Sequence, residues 1–212
     1  VATTDQLFAA IEAGDATTLE AIVRDAPELA ASERDGVTAL RLAAYAGHAE
    51  LAPVLVAAGV ALDAFDAAAL GDVDVLRGLL DDDADLVRAE AADGFSALHL
   101  SAWFGHARAA ELLLARGSDP EHLATNGTLL RPLHSAAAGG HATIAHLLLD
   151  RGADIEAAQA GGVRPLHSAA HRGDVAMVAL LLGRGADPAA ATDDGRLPSD
   201  LASDPEVLAL LP

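Results

Sequence analysis

Arg131-Pro132-Leu133-His134-Ser135-Ala136-Ala137, followed by Gly140-His141, recurs almost letter for letter as Arg164-Pro165-Leu166-His167-Ser168-Ala169-Ala170, followed by Gly173-Asp174. The two histidines are 167 − 134 = 33 residues apart. Upstream, 134 − 99 = 35 residues earlier, the pattern reads Gly94-Phe95-Ser96-Ala97-Leu98-His99 and runs on to Gly105-His106. A looser copy, Gly36-Val37-Thr38-Ala39-Leu40-Arg41-Leu42-Ala43-Ala44, ends at Gly47-His48. Each unit continues into an apolar segment that stops on glycine: Leu112-Leu113-Leu114-Ala115-Arg116-Gly117, Leu147-Leu148-Leu149-Asp150-Arg151-Gly152 and Leu180-Leu181-Leu182-Gly183-Arg184-Gly185. Glycine after the last apolar turn is a helix stop signal. A fixed period of this length marks stacked supersecondary units, none of which can bury its apolar face alone.

These segments closely resemble the ankyrin repeat, with its T-P-L-H-x-A-A signature, its G-H between two helices and its L-L-x-x-G-A-D ending. The resemblance covers nearly the whole chain, and the order of units is similar to that of small stand-alone bacterial ankyrin proteins. It implies an all-α solenoid of helix–turn–helix units with short β-turn fingers, six to seven units including caps, in one domain. The expected divisions are an N-terminal cap at 1–34, repeats at 35–63, 64–91, 92–125, 126–159 and 160–192, and a C-terminal cap at 193–212. The end units lack the signature, as expected where one face of a solenoid meets water.

Two irregularities stand out. Gly59 to Gly71 spans 12 residues where Gly152 to Gly173 spans 21, so the third unit lacks about nine residues of finger. A gap in the row of turns is expected there, between the units that carry Tyr45 and Trp103. The fifth unit carries about two extra residues, within Gly127-Thr128-Leu129-Leu130.

Composition narrows the function. Of 212 residues 52% are hydrophobic but only 3% aromatic, which suits short, closely packed, alanine-rich helices. The 13 basic residues, all arginine, face 32 acidic ones, for a net charge of −19. That balance argues against nucleic acid, whose phosphates need a basic footprint, and against an anionic membrane surface. The arginine-for-lysine bias and the alanine excess suggest a bacterial origin. With no cysteine, a disulfide framework, a zinc–thiolate site and a thiol nucleophile are excluded. Neither a signal peptide nor a transmembrane run is visible, and a cytoplasmic location is expected.

The resemblance places binding on the finger tips and on the exposed positions of each first helix, along the concave face. The free positions are the two residues before the inter-helix glycine: Tyr45-Ala46, Ala69-Leu70, Trp103-Phe104, Ala138-Gly139 and His171-Arg172. The only tryptophan and the only tyrosine therefore fall on this face. Tyr45, Leu70, Trp103 and Phe104 are the candidate apolar anchors, with Phe95 on a finger and His171 and Arg172 as polar contacts. Exposed Trp, Tyr and Arg are the composition of binding hot spots. The competing reading is that the shortened unit lets its neighbours close up and bury these rings. A protein partner is expected and no catalysis. The alternative is a small-molecule binder or an unusual enzyme using a pocket beside the shortened third repeat.

The nine histidines invite a metal. His99, His134 and His167 occupy the signature position, and the resemblance implies that each bonds backbone between neighbouring units. Units stacked about 10 Å apart cannot bring three such rings within the ~2 Å of one zinc ion. His167 and His171 share a helix face, but the glutamate of an H-E-x-x-H site is absent. Asp81-Asp82-Asp83-Ala84-Asp85 fails as a calcium loop, with Leu86 at the glycine position and Ala92 at the bidentate glutamate position. No metal or cofactor is expected. Arg131, Arg164, Arg172 and Arg196 form either a basic strip or local pairs with aspartates.

Overall fold

Side chains set the start of the first helix in each early pair. Thr3, Thr38, Asp63 and Ser96 each accept a hydrogen bond from the backbone N–H three residues on, at 3.3, 3.0, 2.6 and 3.4 Å. This satisfies one of the orphaned donors of a helix N-terminus. In later units Pro132, Pro165 and Pro198 supply the pre-set φ of a first helical residue instead. A computed structural model of the protein describes residues 2–211. In it the helices come in consecutive pairs: α1 (Thr4–Glu12) and α2 (Ala16–Asp25), α3 (Ala39–Tyr45) and α4 (Ala52–Ala57), α5 (Ala64–Leu70) and α6 (Val73–Asp82), α7 (Ala97–Phe104) and α8 (Ala107–Ala115), α9 (Pro132–Gly139) and α10 (Ala142–Asp150), α11 (Pro165–Arg172) and α12 (Val175–Gly183), and α13 (Pro198–Leu201) and α14 (Pro205–Leu210).

First helices pack on first helices along the whole series α1–α3–α5–α7–α9–α11–α13. Second helices form a parallel row, α2–α4 and then α6–α8–α10–α12–α14. This is a helical solenoid of stacked helix–turn–helix units. Fingers project between pairs; the first is a two-stranded antiparallel hairpin, β1 (Glu33–Arg34) and β2 (Val37–Thr38). Later fingers are laced by single backbone hydrogen bonds, from the N–H of Thr125 to Gly94 O, Ala160 to Thr128 O and Asp193 to Gly161 O, at 2.9–3.0 Å.

Histidines stitch the stack in both directions. Nδ1 of His99, His134 and His167 accepts the backbone N–H of Ser96, Arg131 and Arg164 at 3.3, 3.2 and 3.2 Å. Nε2 of each donates forward, to Leu130 O, Ala157 O and Arg196 O, at 3.1, 2.9 and 3.2 Å. His106 and His141 donate backward, to Ala69 O and Trp103 O, at 2.9 and 3.0 Å. The forward-bonding rings are consumed by this arrangement, and burial holds His99 and His134 neutral, with pKa values lowered to about 4.

The core divides in two. One cluster joins residues from Leu7 to Leu55, the other residues from Ala44 to Leu211, and the half-buried Leu62 and Leu70 pack against both. The division falls at the third unit, where the finger is missing.

Candidate functional site

Tyr45 and Trp103 occupy equivalent last-turn positions of α3 and α7, and α5 runs between them. The equivalent residue of α5 is Ala69, fully buried and too small to fill the space above it. Tyr45 therefore reaches across the third unit to the fourth: its ring meets Phe104 at 5.5 Å between centroids, tilted by 49°. Its hydroxyl donates to Asp93 on the fourth unit's finger at 2.9 Å. Burial, with Asp93 second, pushes the Tyr45 phenol above its usual range. Tyr45 is nevertheless 37% exposed and Trp103 44% exposed, whereas Phe95 and Phe104 are half-buried.

Tyr45, Phe95, His99, Leu100, Trp103 and Leu130 enclose a cavity of about 250 Å³ whose accessible wall is entirely apolar. His99 presents its ring face, because Nδ1 also takes the Ser96 hydroxyl at 2.8 Å and Nε2 is bonded to Leu130 O. Leu130 comes from the finger with the extra residues. The residue before it, Leu129, has φ +58° and is 48% exposed. Left-handed backbone costs a branched residue about 1–2 kcal/mol.

The gap expected in the row of fingers is not there. The second unit's finger tip, Gly36, packs directly on Ala92 of the fourth unit's finger, leaving no room for a Cβ. The space beneath is occupied by Arg41, only 2% exposed. Arg41 stands where other units carry the signature histidine, and Asp66 holds the same position in the third unit. With no third finger there is no carbonyl for a histidine to reach. Arg41 instead lies 3.4 Å from Asp66, 3.8 Å from Asp93 and 3.9 Å from Asp63, beside the Phe65 ring at 5.7 Å. Thr38 donates to Asp66 at 2.6 Å. Burial pushes the Asp66 carboxyl up to about 6, against the opposing pull of Thr38 and Arg41. This ion cluster missed by sequence reasoning was signalled by Arg41 and Asp66 themselves, each three residues after a helix-capping side chain.

Two overlapping matches to a family model described as ankyrin repeats (three copies) cover residues 7–124 and 98–192. The chain belongs to the ankyrin-repeat family. A comparison with curated proteins finds no match.

The ankyrin architecture brings only some of the candidate residues together. Tyr45, Phe95 and Trp103 line the cavity and Phe104 backs Tyr45. Leu70 is half-buried and joins the two parts of the core. His171 and Arg172 are exposed two units further on, outside the cavity. Arg172 Nη1 donates to Ala138 O at 3.2 Å, standing in for the backward-bonding histidine of other units. Of the other arginines of the conjectured strip, Arg131 pairs with Glu121, Arg164 with Glu156 and Arg196 with Asp194, at 3.0, 3.1 and 2.8 Å. Positive charge along the fingers is thus locally neutralised. His122, which follows no pattern in the sequence, contacts Glu90 at 2.6 Å, and Thr125 holds the other oxygen of Glu90 at 2.6 Å. Among the described residues no cluster of His, Asp and Glu has the geometry to hold a metal ion, and no helix is long and apolar enough to cross a membrane. Leu100 and Leu130 are the site residues that sequence reasoning missed. The 35-residue spacing marked the finger of Leu129 and Leu130 as unusual but did not say which way these leucines face.

Proposed function

We propose that this ankyrin-repeat chain is a non-catalytic binding module of the small stand-alone type, acting in the cytoplasm, that engages a protein partner through the concave face at Tyr45, Phe95, Trp103 and Phe104. The observation that carries the reading is the apolar cavity between two exposed aromatic rings on a face where the repeat core needs neither. Large rings over a preformed apolar recess are the make-up of interface hot spots. At about 250 Å³ the cavity falls below the ~300–1,000 Å³ of small-molecule sites. It also lacks the polar groups that orient such ligands, since both nitrogens of His99 are already bonded. The acidic surface supports a protein partner over nucleic acid or an anionic membrane. His171 and Arg172 would serve as peripheral contacts of a partner long enough to cover several units.

The test is selection from a library of displayed protein fragments on the wild-type chain, with each enriched fragment re-assayed on a Trp103→Ala/Phe104→Ala variant. Circular dichroism establishes that the variant is folded. Fragments that lose binding to the variant support the concave site; fragments indifferent to both truncations rule it out.

A further inference from the structure

The geometry points to a specific occupant of the cavity: one bulky apolar side chain, leucine or phenylalanine in size, presented by a peptide segment whose flanking residues are basic. This rests on the protein-binding reading above and adds the chemistry of the partner.

The apolar half follows from size and lining. About 250 Å³ corresponds to some eight waters at ~30 Å³ each, held against a wall with no accessible polar atom. Such waters are poorly bonded, and their release by a single apolar side chain is favourable. Leu129 adjoins Leu130 in the chain: the finger that turns Leu130 into the cavity wall turns Leu129 out to solvent. An exposed, branched residue held in left-handed backbone gains no packing to offset its strain. Strain of this kind, retained at a surface position, is characteristic of binding sites.

The basic half follows from the rim. Because Gly36 packs on Ala92, the finger-tip carboxylates of Asp35 and Asp93 flank that junction together. Asp93 also holds the Tyr45 hydroxyl, so the acidic rim and the aromatic wall are one structure. Arg41 supplies one positive charge against the carboxylates of Asp63, Asp66 and Asp93, so the cluster stays net negative. With a net charge of −19 around it, this rim steers and holds lysine or arginine beside the apolar anchor.

Trp103, the only tryptophan, lies in the cavity wall and reports occupancy by its emission. The full chain is titrated with short synthetic peptides of the form Arg-X-Arg and Glu-X-Glu, in which X is leucine, phenylalanine or serine. Saturable change in Trp103 emission is expected for Arg-Leu-Arg and Arg-Phe-Arg. Affinity at least about tenfold weaker is expected for serine at X, the loss that follows from one unburied large side chain. The Arg-flanked peptides should also weaken several-fold as salt rises past the ~0.1 M range and when Asp35 is changed to Asn, a residue that tolerates the same backbone. Equal binding of serine and leucine peptides overturns the apolar anchor. Equal binding of Arg- and Glu-flanked peptides overturns the basic context. If no peptide moves the Trp103 emission while displayed fragments still discriminate against Trp103→Ala/Phe104→Ala, this inference fails and the concave site stands.

Discussion

Acidification from pH 7 to pH 5 should destabilise this protein through its signature histidines. His99 and His134 are 1% and 0% exposed, and each accepts a backbone N–H at Nδ1, the atom a second proton would need. Their folded pKa values are about 4 against 6.5 for a free imidazole. The unfolded chain therefore binds more protons between these limits, and stability falls as pH falls. A shift of that size costs about 2 kcal/mol per histidine over this range, or about 4 for the pair. Asp66 works the other way: its raised pKa, about 6, lets the folded state take up a proton first and returns about 1 kcal/mol. The expected net loss is about 3 kcal/mol, increased by His106 and His167, whose pKa values burial also lowers. Urea denaturation at the two pH values measures it. The decisive comparison is His134→Gln, which cannot titrate: it should be less stable at pH 7 yet lose about 2 kcal/mol less on acidification. If wild type and variant lose the same amount, His134 is not held neutral by its burial, and the reasoning fails for the other signature histidines as well.

Arg41→His restores the repeat signature but should destabilise by about 3–5 kcal/mol in urea melts, because it strips the buried cation from Asp66 and Asp93 and finds no finger carbonyl. Leu129→Asn, which suits left-handed backbone, should raise stability by about 1 kcal/mol in thermal melts while weakening capture of concave-face ligands. Gly36→Ala should cost at least about 1–2 kcal/mol, since φ is +77° and its Cβ would meet Ala92; a smaller loss in urea melts would mean the two fingers are not in contact. Tyr45→Phe should cost about 1 kcal/mol by releasing Asp93 and should leave peptide affinity within a few-fold, as the ring and not the hydroxyl lines the cavity.

The repeating part of the fold was legible because one local sequence does one local job several times over. Pro132-Leu133-His134 and Pro165-Leu166-His167 each start a helix, bury a leucine and aim an imidazole at the next finger, so spacing alone located them. Where the period broke, sequence reasoning named the missing residues but not how the chain would close over the loss. That outcome depends on contacts between residues far apart in sequence: Gly36 with Ala92, Arg41 with Asp93, and Tyr45 with Phe104. The exposed rings of Tyr45 and Trp103 were found by their place in the repeat. A pocket beside the shortened third repeat was raised as an alternative, but its walls at Leu100 and Leu130 were not, since they depend on the path of a finger two units away. Arg172 had looked like a free polar contact, and its bond to Ala138 O became visible only once the neighbouring turn was in place.

The break between the two core clusters bears on how the molecule comes apart. In a one-dimensional stack, stability is a sum of unit terms and couplings between nearest neighbours. Second helices are coupled along α6 to α14 and again between α2 and α4, but the row is thinnest between α4 and α6. The joint there relies on α3 against α5, on Leu62 and Leu70, and on the Arg41 cluster. It is the weakest link in the array, and amide exchange should show the segment up to about Leu55 opening as a separate foldon while α7 to α12 stay closed.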